Sequence, residues 1–436
     1  MKVWATTILL IFGLLGAGVR ALAAATDETK PVKTLGECVE IAMQHHPSIK
    51  AAVASAEAGQ QRIHEAASAY LPQLNALYRA TRQNTSLTAR VQSGVQVKSQ
   101  TFNFFTTGVS FTQILFDFGQ TFNLIRSAQA SEESLQADLT TQRDTVVLNV
   151  KQSYFNVLAA RQLLGVANDT MRQNQKHLEQ AQGRFHVGLA PKFDVTNSEV
   201  QVANAELNQL TANNNLAVAW ETLRNALGVN GPLDFDIADV GQRPVSITEQ
   251  EALAIAYDNR PELQSIRAQE LAENEQIKAL QKNYLPTVTG NGNYQWTGPS
   301  TPLQPGWVIG ANITMSLFNG WLTTSQIGEQ RANLANLKYN EELLRQSIAL
   351  QVRQAVLNLQ QAAASIRVAE KGLQLARENL DLAEGRYSTG VGNIIELTDA
   401  QASLTTAQAN YVQALYTYNT QLATLENAMA KELATA

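Results

Sequence analysis

Glu396 and Asp399 are spaced three apart in a helical stretch, so both carboxylates share one face. Carboxylates placed this way either stabilise the first turn of a helix through its dipole or, repeated around a narrow pore, favour cations over anions. Asp194 occupies the corresponding helix start in the first half of the chain. Little else offers chemistry. There are five histidines, two of them adjacent (His45 and His46), and the doublet is read as a solvated helix feature, not a metal site. The single cysteine, Cys38, excludes an internal disulfide and a cysteine-based metal cluster. Gly290-Asn291-Gly292-Asn293 falls in strand sequence and is no nucleotide cradle. No nucleophile, histidine and acid are grouped, so neither an enzyme nor a bound cofactor is expected.

The 436 residues carry a formal charge of −5, with only 16% charged and 44% hydrophobic content. Such a chain is not basic enough for general nucleic-acid binding. Lys2 precedes an apolar run from Ala5 to Val19, and small residues follow it, so residues 1–25 are read as a removed secretory signal. Losing Lys2 and Arg20 from 33 basic residues leaves 31 against 38 acidic ones, a charge of −7. No other segment is apolar enough for a membrane helix, so membrane contact would have to be made by strands.

The elements that position these residues repeat. His46-Pro47-Ser48-Ile49 returns as Arg260-Pro261-Glu262-Leu263, and Tyr70-Leu71-Pro72 as Tyr284-Leu285-Pro286. Gly183-Arg184-Phe185 answers Gly385-Arg386-Tyr387 at a smaller offset, so the first copy carries about a dozen extra residues, read as an exposed loop near 85–100. A first repeat spans 26–228, a linker 229–246, a second repeat 247–430, and a short tail 431–436. Helices are expected over 35–68 and 247–282.

Seven-residue spacing then dominates. Val150, Val157, Leu164, Met171, Leu178 and Phe185 are matched by Val352, Leu359, Ile366, Leu373, Leu380 and Tyr387. These seams predict long helices over about 119–186 and 320–387, each a rod on the order of 100 Å. Return helices are expected over 194–228 and 395–430, after turns at Gly188-Leu189-Ala190 and Gly390-Val391-Gly392. The glycines of both turns are expected to supply left-handed backbone.

Hairpins are expected over 73–116 and 287–318, where the period becomes two. Val288, Gly290, Gly292, Tyr294 and Trp296 alternate with Thr, Asn and Gln, and Trp307, Ile309, Ala311 and Ile313 continue the pattern. Leu74, Ala76, Tyr78 and Ala80 with Thr107, Val109 and Phe111 hold matching places. Strands of about ten residues with one apolar face suit a barrel with lipid outside and water inside. Trp296, Trp307 and Trp321 fall near segment ends, where interfacial aromatics gather. Four strands cannot close on themselves, and an open edge in lipid is costly, so several chains must share one barrel. Strand arithmetic leaves two, three or more copies open. A periplasmic coiled-coil adaptor without a channel is the competing possibility.

With these motifs in hand, the chain resembles the TolC-type outer membrane efflux proteins over nearly its whole mature length. The resemblance rests on the duplicated plan, the Tyr-Leu-Pro signals, Leu115-Phe116-Asp117-Phe118-Gly119 and Leu317-Phe318-Asn319-Gly320, and the two helix-tip patterns. It implies an α+β membrane protein and a homotrimer. The twelve-stranded transmembrane β-barrel would be shared, four strands per chain, and continued by a long α-helical coiled-coil barrel in the periplasm. It further implies an exit duct of a tripartite efflux or type I secretion system, docked on a periplasmic adaptor and fed by an inner-membrane transporter. By the same resemblance Glu396 and Asp399 would form the pore constriction, and Tyr387 with Asp194 a closed-state latch. Gly188, Leu189, Ala190, Gly390, Val391 and Gly392 would be adaptor-docking tips. Gly392 stands where some members carry an arginine that ties down the closed end.

Overall fold

The computed structural model describes residues 31–85, 100–241 and 244–433. The expected signal segment 1–25 lies outside the described residues, as does nearly all of the expected loop at 85–100 and the end of the tail. The chain begins with β1 (Val32–Lys33), α1 (Leu35–His45) and α2 (Pro47–Ala67), then β2 (Gln73–Thr85), β3 (Gln100–Phe116), α3 (Gln120–His186) and α4 (Lys192–Leu227). After β4 (Asp236–Ile237) come α5 (Glu249–Asn259), α6 (Pro261–Lys282), β5 (Thr287–Gly298), β6 (Gln304–Thr314), α7 (Leu322–Ser388) and α8 (Ile394–Met429).

The expected helices over 35–68 and 247–282 are each two helices. Thr34 and Glu37 form a reciprocal capping box that starts α1, and Thr248 with Glu251 does the same for α5. Each helix then stops two residues before a proline. The pyrrolidine ring disfavours helical backbone in the preceding residue, so His46 and Arg260 take extended ψ values of 125° and 117°. Pro47 and Pro261 restart the chain at the first helical position, where a missing N–H costs nothing. His46 is therefore a cap and not a solvated feature: its Nδ1 accepts from the Ser48 N–H at 3.3 Å. His45 is exposed, its Nδ1 3.0 Å from the Ile41 carbonyl.

A four-stranded antiparallel sheet runs in the order β2-β3-β5-β6. Its register stacks Leu74 on Phe111, Phe111 on Gly292, and Gly292 on Ile309. One pleat farther, Ala76, Val109, Tyr294 and Trp307 line up on the same face. The other face carries Asn75, Ser110, Asn293 and Val308, then Gln73, Thr112, Asn291 and Gly310. The period-two pattern thus forms one continuous apolar face. Phe111 lies so close over Gly292 that a Cβ there would meet its ring at 2.3 Å, which explains a glycine in mid-strand. Among the described residues β2 and β6 each have a neighbour on one side only.

Below the sheet, α3 and α7 are 67 residues each, about 100 Å long, and α4 and α8 are 36 each. The second seam is buried at Val352, Leu359, Leu373, Leu380 and Tyr387. The first is not buried throughout. Val150 and Val157 are, but Phe185 is exposed, and Asn174, His177 and Ala181 take the buried positions near that end. Helix α3 has turned a different face toward its neighbours there.

The strand-to-helix turns use left-handed backbone at Phe118 and Gly119, and again at Gly320 and Trp321. Asp117 holds the first turn, accepting from the N–H groups of Gly119 (3.0 Å) and Thr121 (2.7 Å) and from the Tyr70 hydroxyl (3.1 Å).

The 229–246 linker is not simple connection. Its β4 pairs in parallel with β1, and the Tyr154 hydroxyl donates to the Ala238 carbonyl at 2.6 Å while Arg161 pairs with Asp236. Nearby, Lys151 is buried in α3 and donates to Glu426 at 2.8 Å and Glu432 at 2.7 Å. Burial works to lower the Lys151 pKa, but the hydrogen bonds and charges of Glu426 and Glu432 outweigh it and raise it. The resulting stabilisation is fully present below the ordinary lysine value near 10.5 and is lost as pH rises through the higher folded value. Lys151→Met would leave Glu426 buried and unpaired, lowering stability by about 3 kcal/mol in thermal unfolding; adding Glu426→Leu should recover most of that loss.

Candidate functional site

The two helix tips bring the remaining functional candidates together. At the end of α3, Gly188 adopts φ 77° while its N–H reaches the Phe185 carbonyl and the Leu189 N–H reaches Arg184. At the end of α7, Gly390 adopts φ 80°, and the N–H groups of Val391 and Gly392 both reach the Arg386 carbonyl. Only an unhindered residue takes these positive φ values cheaply, which explains Gly188 and Gly390. Gly392 differs from expectation. Its backbone is not left-handed; instead an added Cβ would meet the Arg386 Cβ at 2.9 Å. Close approach of the turn to its own helix is what demands glycine there. Leu189 and Val391 project from the turns, 76% and 72% exposed, and Ala190 is half-buried beside them.

Helix α8 starts from Asn393, whose side chain accepts from the Glu396 N–H at 2.9 Å. Glu396 pairs with Arg386 across the turn at 3.2 Å. Asp399, one turn on, is also exposed. Helix α4 starts after Pro191 with Asp194 in its first turn.

Tyr387 is buried, and its hydroxyl makes no hydrogen bond to Asp194 within the subunit. Burial raises its pKa, and the nearby Asp194 charge adds to this while Arg184 opposes it. Burial likewise raises the Asp194 pKa against the pull of Arg184. Arg184 is therefore the group that connects them. Its guanidinium lies 4.7 Å from the centre of the Tyr387 ring and donates to the Ser388 carbonyl at 2.7 Å, tying the α3–α4 tip to the α7–α8 tip. Farther up, His177 is buried with its Nε2 4.0 Å from the Glu384 carboxylate. Burial lowers the His177 pKa and Glu384 partly offsets that.

Arg184 and His177 were not singled out from sequence. The Gly-Arg-aromatic triplet repeated at both tips is the signal in the sequence, although each arginine finds its partner elsewhere, Arg184 at Tyr387 and Arg386 at Glu396.

At the other end of the molecule, Trp296 and Trp307 lie on the apolar face near the β5–β6 connection, and the Trp296 ring meets Tyr294 edge to face at 4.8 Å. Trp321 is exposed at the start of α7, beyond the opposite end of the sheet. Among the described residues no group of three or more acidic, histidine or cysteine side chains is arranged to hold a metal ion, and no helix is long and apolar enough to cross a membrane.

The fold recurs in solved structures. The Campylobacter jejuni CmeC outer membrane channel superposes with a TM-score of 0.80, covering 97% of this chain and 94% of its own at 16% identity. A membrane protein from Pseudomonas aeruginosa gives 0.79, covering 91% and 93% at 19% identity. At such identities the likeness concerns the fold. In sequence, outer membrane protein TolC of Escherichia coli (strain K12) is 27% identical over 332 residues, 71% of this chain. That match spans 64% of the relative's length, less than two thirds. The model of the family described as outer membrane efflux protein matches residues 38–229 and 252–431, each stretch containing a hairpin, a long helix and a return helix. With both halves matched and the same architecture found in solved channels, the chain belongs to the outer membrane efflux protein family.

Proposed function

We propose that the protein is an outer membrane channel, the passive exit duct of an efflux or type I secretion assembly. The observation that carries this is the continuous apolar face of a sheet with two open edges, joined to helices about 100 Å long. A sheet of this kind is stable in lipid only when its edges are closed. Three copies would supply twelve strands, and the duplicated plan would give twelve long and return helices below them. Trp296 and Trp307 at one level and Trp321 at the other bracket the apolar band, as interfacial aromatics do. In the periplasm the helix tips would meet an adaptor at Gly188, Leu189, Ala190, Gly390, Val391 and Gly392, with an inner-membrane transporter supplying cargo and energy.

Glu396 and Asp399 would form two stacked acidic rings at the entrance. The Glu396 pairing with Arg386 reduces the net charge of its ring, so Asp399 would contribute more of the field. In planar bilayers the wild type should conduct and prefer cations. Glu396→Gln with Asp399→Asn should lower that preference severalfold. Unchanged selectivity would remove both residues from the pore, and a water-soluble monomer that never conducts would favour a periplasmic adaptor instead.

A further inference from the structure

Charge is distributed unevenly between the sheet and the helices. Strands β2, β3, β5 and β6 contain no acidic residue and no lysine, and their charged residues are Arg79 and Arg82 on β2. The sequence as a whole holds no acid between Glu65 and Asp117, or between Glu275 and Glu329, so neither hairpin supplies a carboxylate to neutralise them. Three residues along a strand is a change of face. Arg82 therefore shares the apolar face with Leu74, Ala76 and Tyr78, and Arg79 shares the polar face with Gln73 and Asn75. The register sets exposed Arg79 in one row with Thr106, Thr297 and Gln304.

Just beyond this row the polar face changes character. Thr81 pairs with Phe104 and Gln83 with Phe102, which puts both rings on the same face as Arg79. They meet edge to face with centroids 6.4 Å apart. Among the described residues no other aromatic side chain of the four strands stands on that face. Phe104 is the diagonal neighbour of Arg79, roughly 7 Å away, a span that long and aromatic side chains bridge.

The place in the fold gives these residues a role. The helices join the sheet at Gln73 and Phe116, and Arg79 lies six residues up β2, about 20 Å from that end. Its row is level with Trp296, where the apolar band stops. Glu396 and Asp399 sit at the far ends of the helices, on the order of 100 Å below, about ten screening lengths at 0.1 M salt. The two charged levels act independently.

We propose that Arg79, repeated in each subunit of the shared barrel, forms a positive ring at the outer end of the pore and, with Phe104 and Phe102, selects anionic solutes that carry an aromatic ring. The ring rests on the channel function above and adds a determinant of what passes its exit. Rings of arginine favour anions in a pore. Each guanidinium presents paired donors that match a carboxylate, and the phenylalanines offer apolar surface to the aromatic group attached to it.

Planar-bilayer recordings of the full-length protein test the ring, with benzoate as probe and acetate as the anion lacking an aromatic group. Benzoate added on the side of the β2–β3 connection should lower the single-channel current at concentrations where acetate does not. Arg79→Gln should weaken that block about tenfold, the loss of one charge-assisted contact, and raise the preference for potassium over chloride about twofold. Arg79→Lys should restore chloride permeability but little of the block, because an ammonium lacks the planar fork. Phe104→Leu should weaken the block severalfold and leave ion selectivity unchanged. Arg82→Gln, on the opposite face, should match the wild type; an effect equal to that of Arg79→Gln would overturn the assignment of faces and the ring with it. A conducting Arg79→Gln channel with unaltered selectivity and block would sink the ring and leave the channel standing. Equal block by acetate and benzoate, or a Phe104→Leu channel as sensitive as the wild type, would overturn the selection of aromatic anions. A wild type that never conducts would remove channel and ring together.

Discussion

Ile309→Arg should largely abolish the heat-sensitive oligomer and deplete the protein from the outer membrane. Ile309 is central in β6, 73% exposed on the apolar face and paired across from Gly292. An arginine facing lipid at the middle of a barrel costs about 2–4 kcal/mol, and every subunit of a shared barrel would bear it. Snorkelling to the headgroups would be least effective there, several residues from either strand end. The neighbouring Val308→Arg places the same charge on the opposite face, with Asn293 and Ser110, and should insert almost normally. Membrane fractionation and the unheated-to-heated band ratio read both variants. Equal behaviour of the two would mean that the apolar face does not meet lipid.

The second large effect is expected at the tips. Arg184→Ala should raise the open-channel probability in planar bilayers by roughly tenfold. The substitution removes a charge-assisted hydrogen bond to the Ser388 carbonyl and the stacking on Tyr387, the contacts through which one hairpin holds the other. Together these are worth on the order of 1.5 kcal/mol at a solvent-accessible site, and about 1.4 kcal/mol is a factor of ten. Opening by separation of the hairpins would make that stabilisation available only to the closed state. Tyr387→Phe keeps the ring that Arg184 stacks on and removes a hydroxyl that does not reach Asp194 in the subunit, so conductance should change little. A larger response to Tyr387→Phe than to Arg184→Ala would place the latch on a Tyr387 bond formed between subunits.

Features governed by periodicity were legible in the sequence. Alternation of Val288, Tyr294, Trp307 and Ile309 with polar residues reflects a sheet solvated differently on its two faces, and the register keeps them together. Rods of 67 residues follow from proline-free heptads. What escaped depends on partners remote in sequence. The two-residue β1 and β4 carry no pattern of their own and are held by Tyr154 and Arg161 from α3. The breaks at Pro47 and Pro261 are the exception, since proline disfavours helix in the residue before it and fits the first position of a new helix. Arg184 finds Ser388 some two hundred residues away, and the seam through Phe185 failed because buried polar groups at Asn174 and His177 turn that end of α3. The crowding that fixes Gly392 comes from its close approach to Arg386 in the folded turn, which no local pattern in the sequence marks.

The side-by-side placement of His177 and Glu384 also means that the two tips do not end together. These residues are 207 apart in the chain, while the turn glycines Gly188 and Gly390 are 202 apart. The first hairpin therefore reaches five residues deeper, roughly 7 Å. A three-subunit tube would end in a scalloped crown of alternating long and short teeth. A flat partner pressed against that mouth would touch three points before six, so threefold stoichiometry would be favoured until the short teeth are engaged.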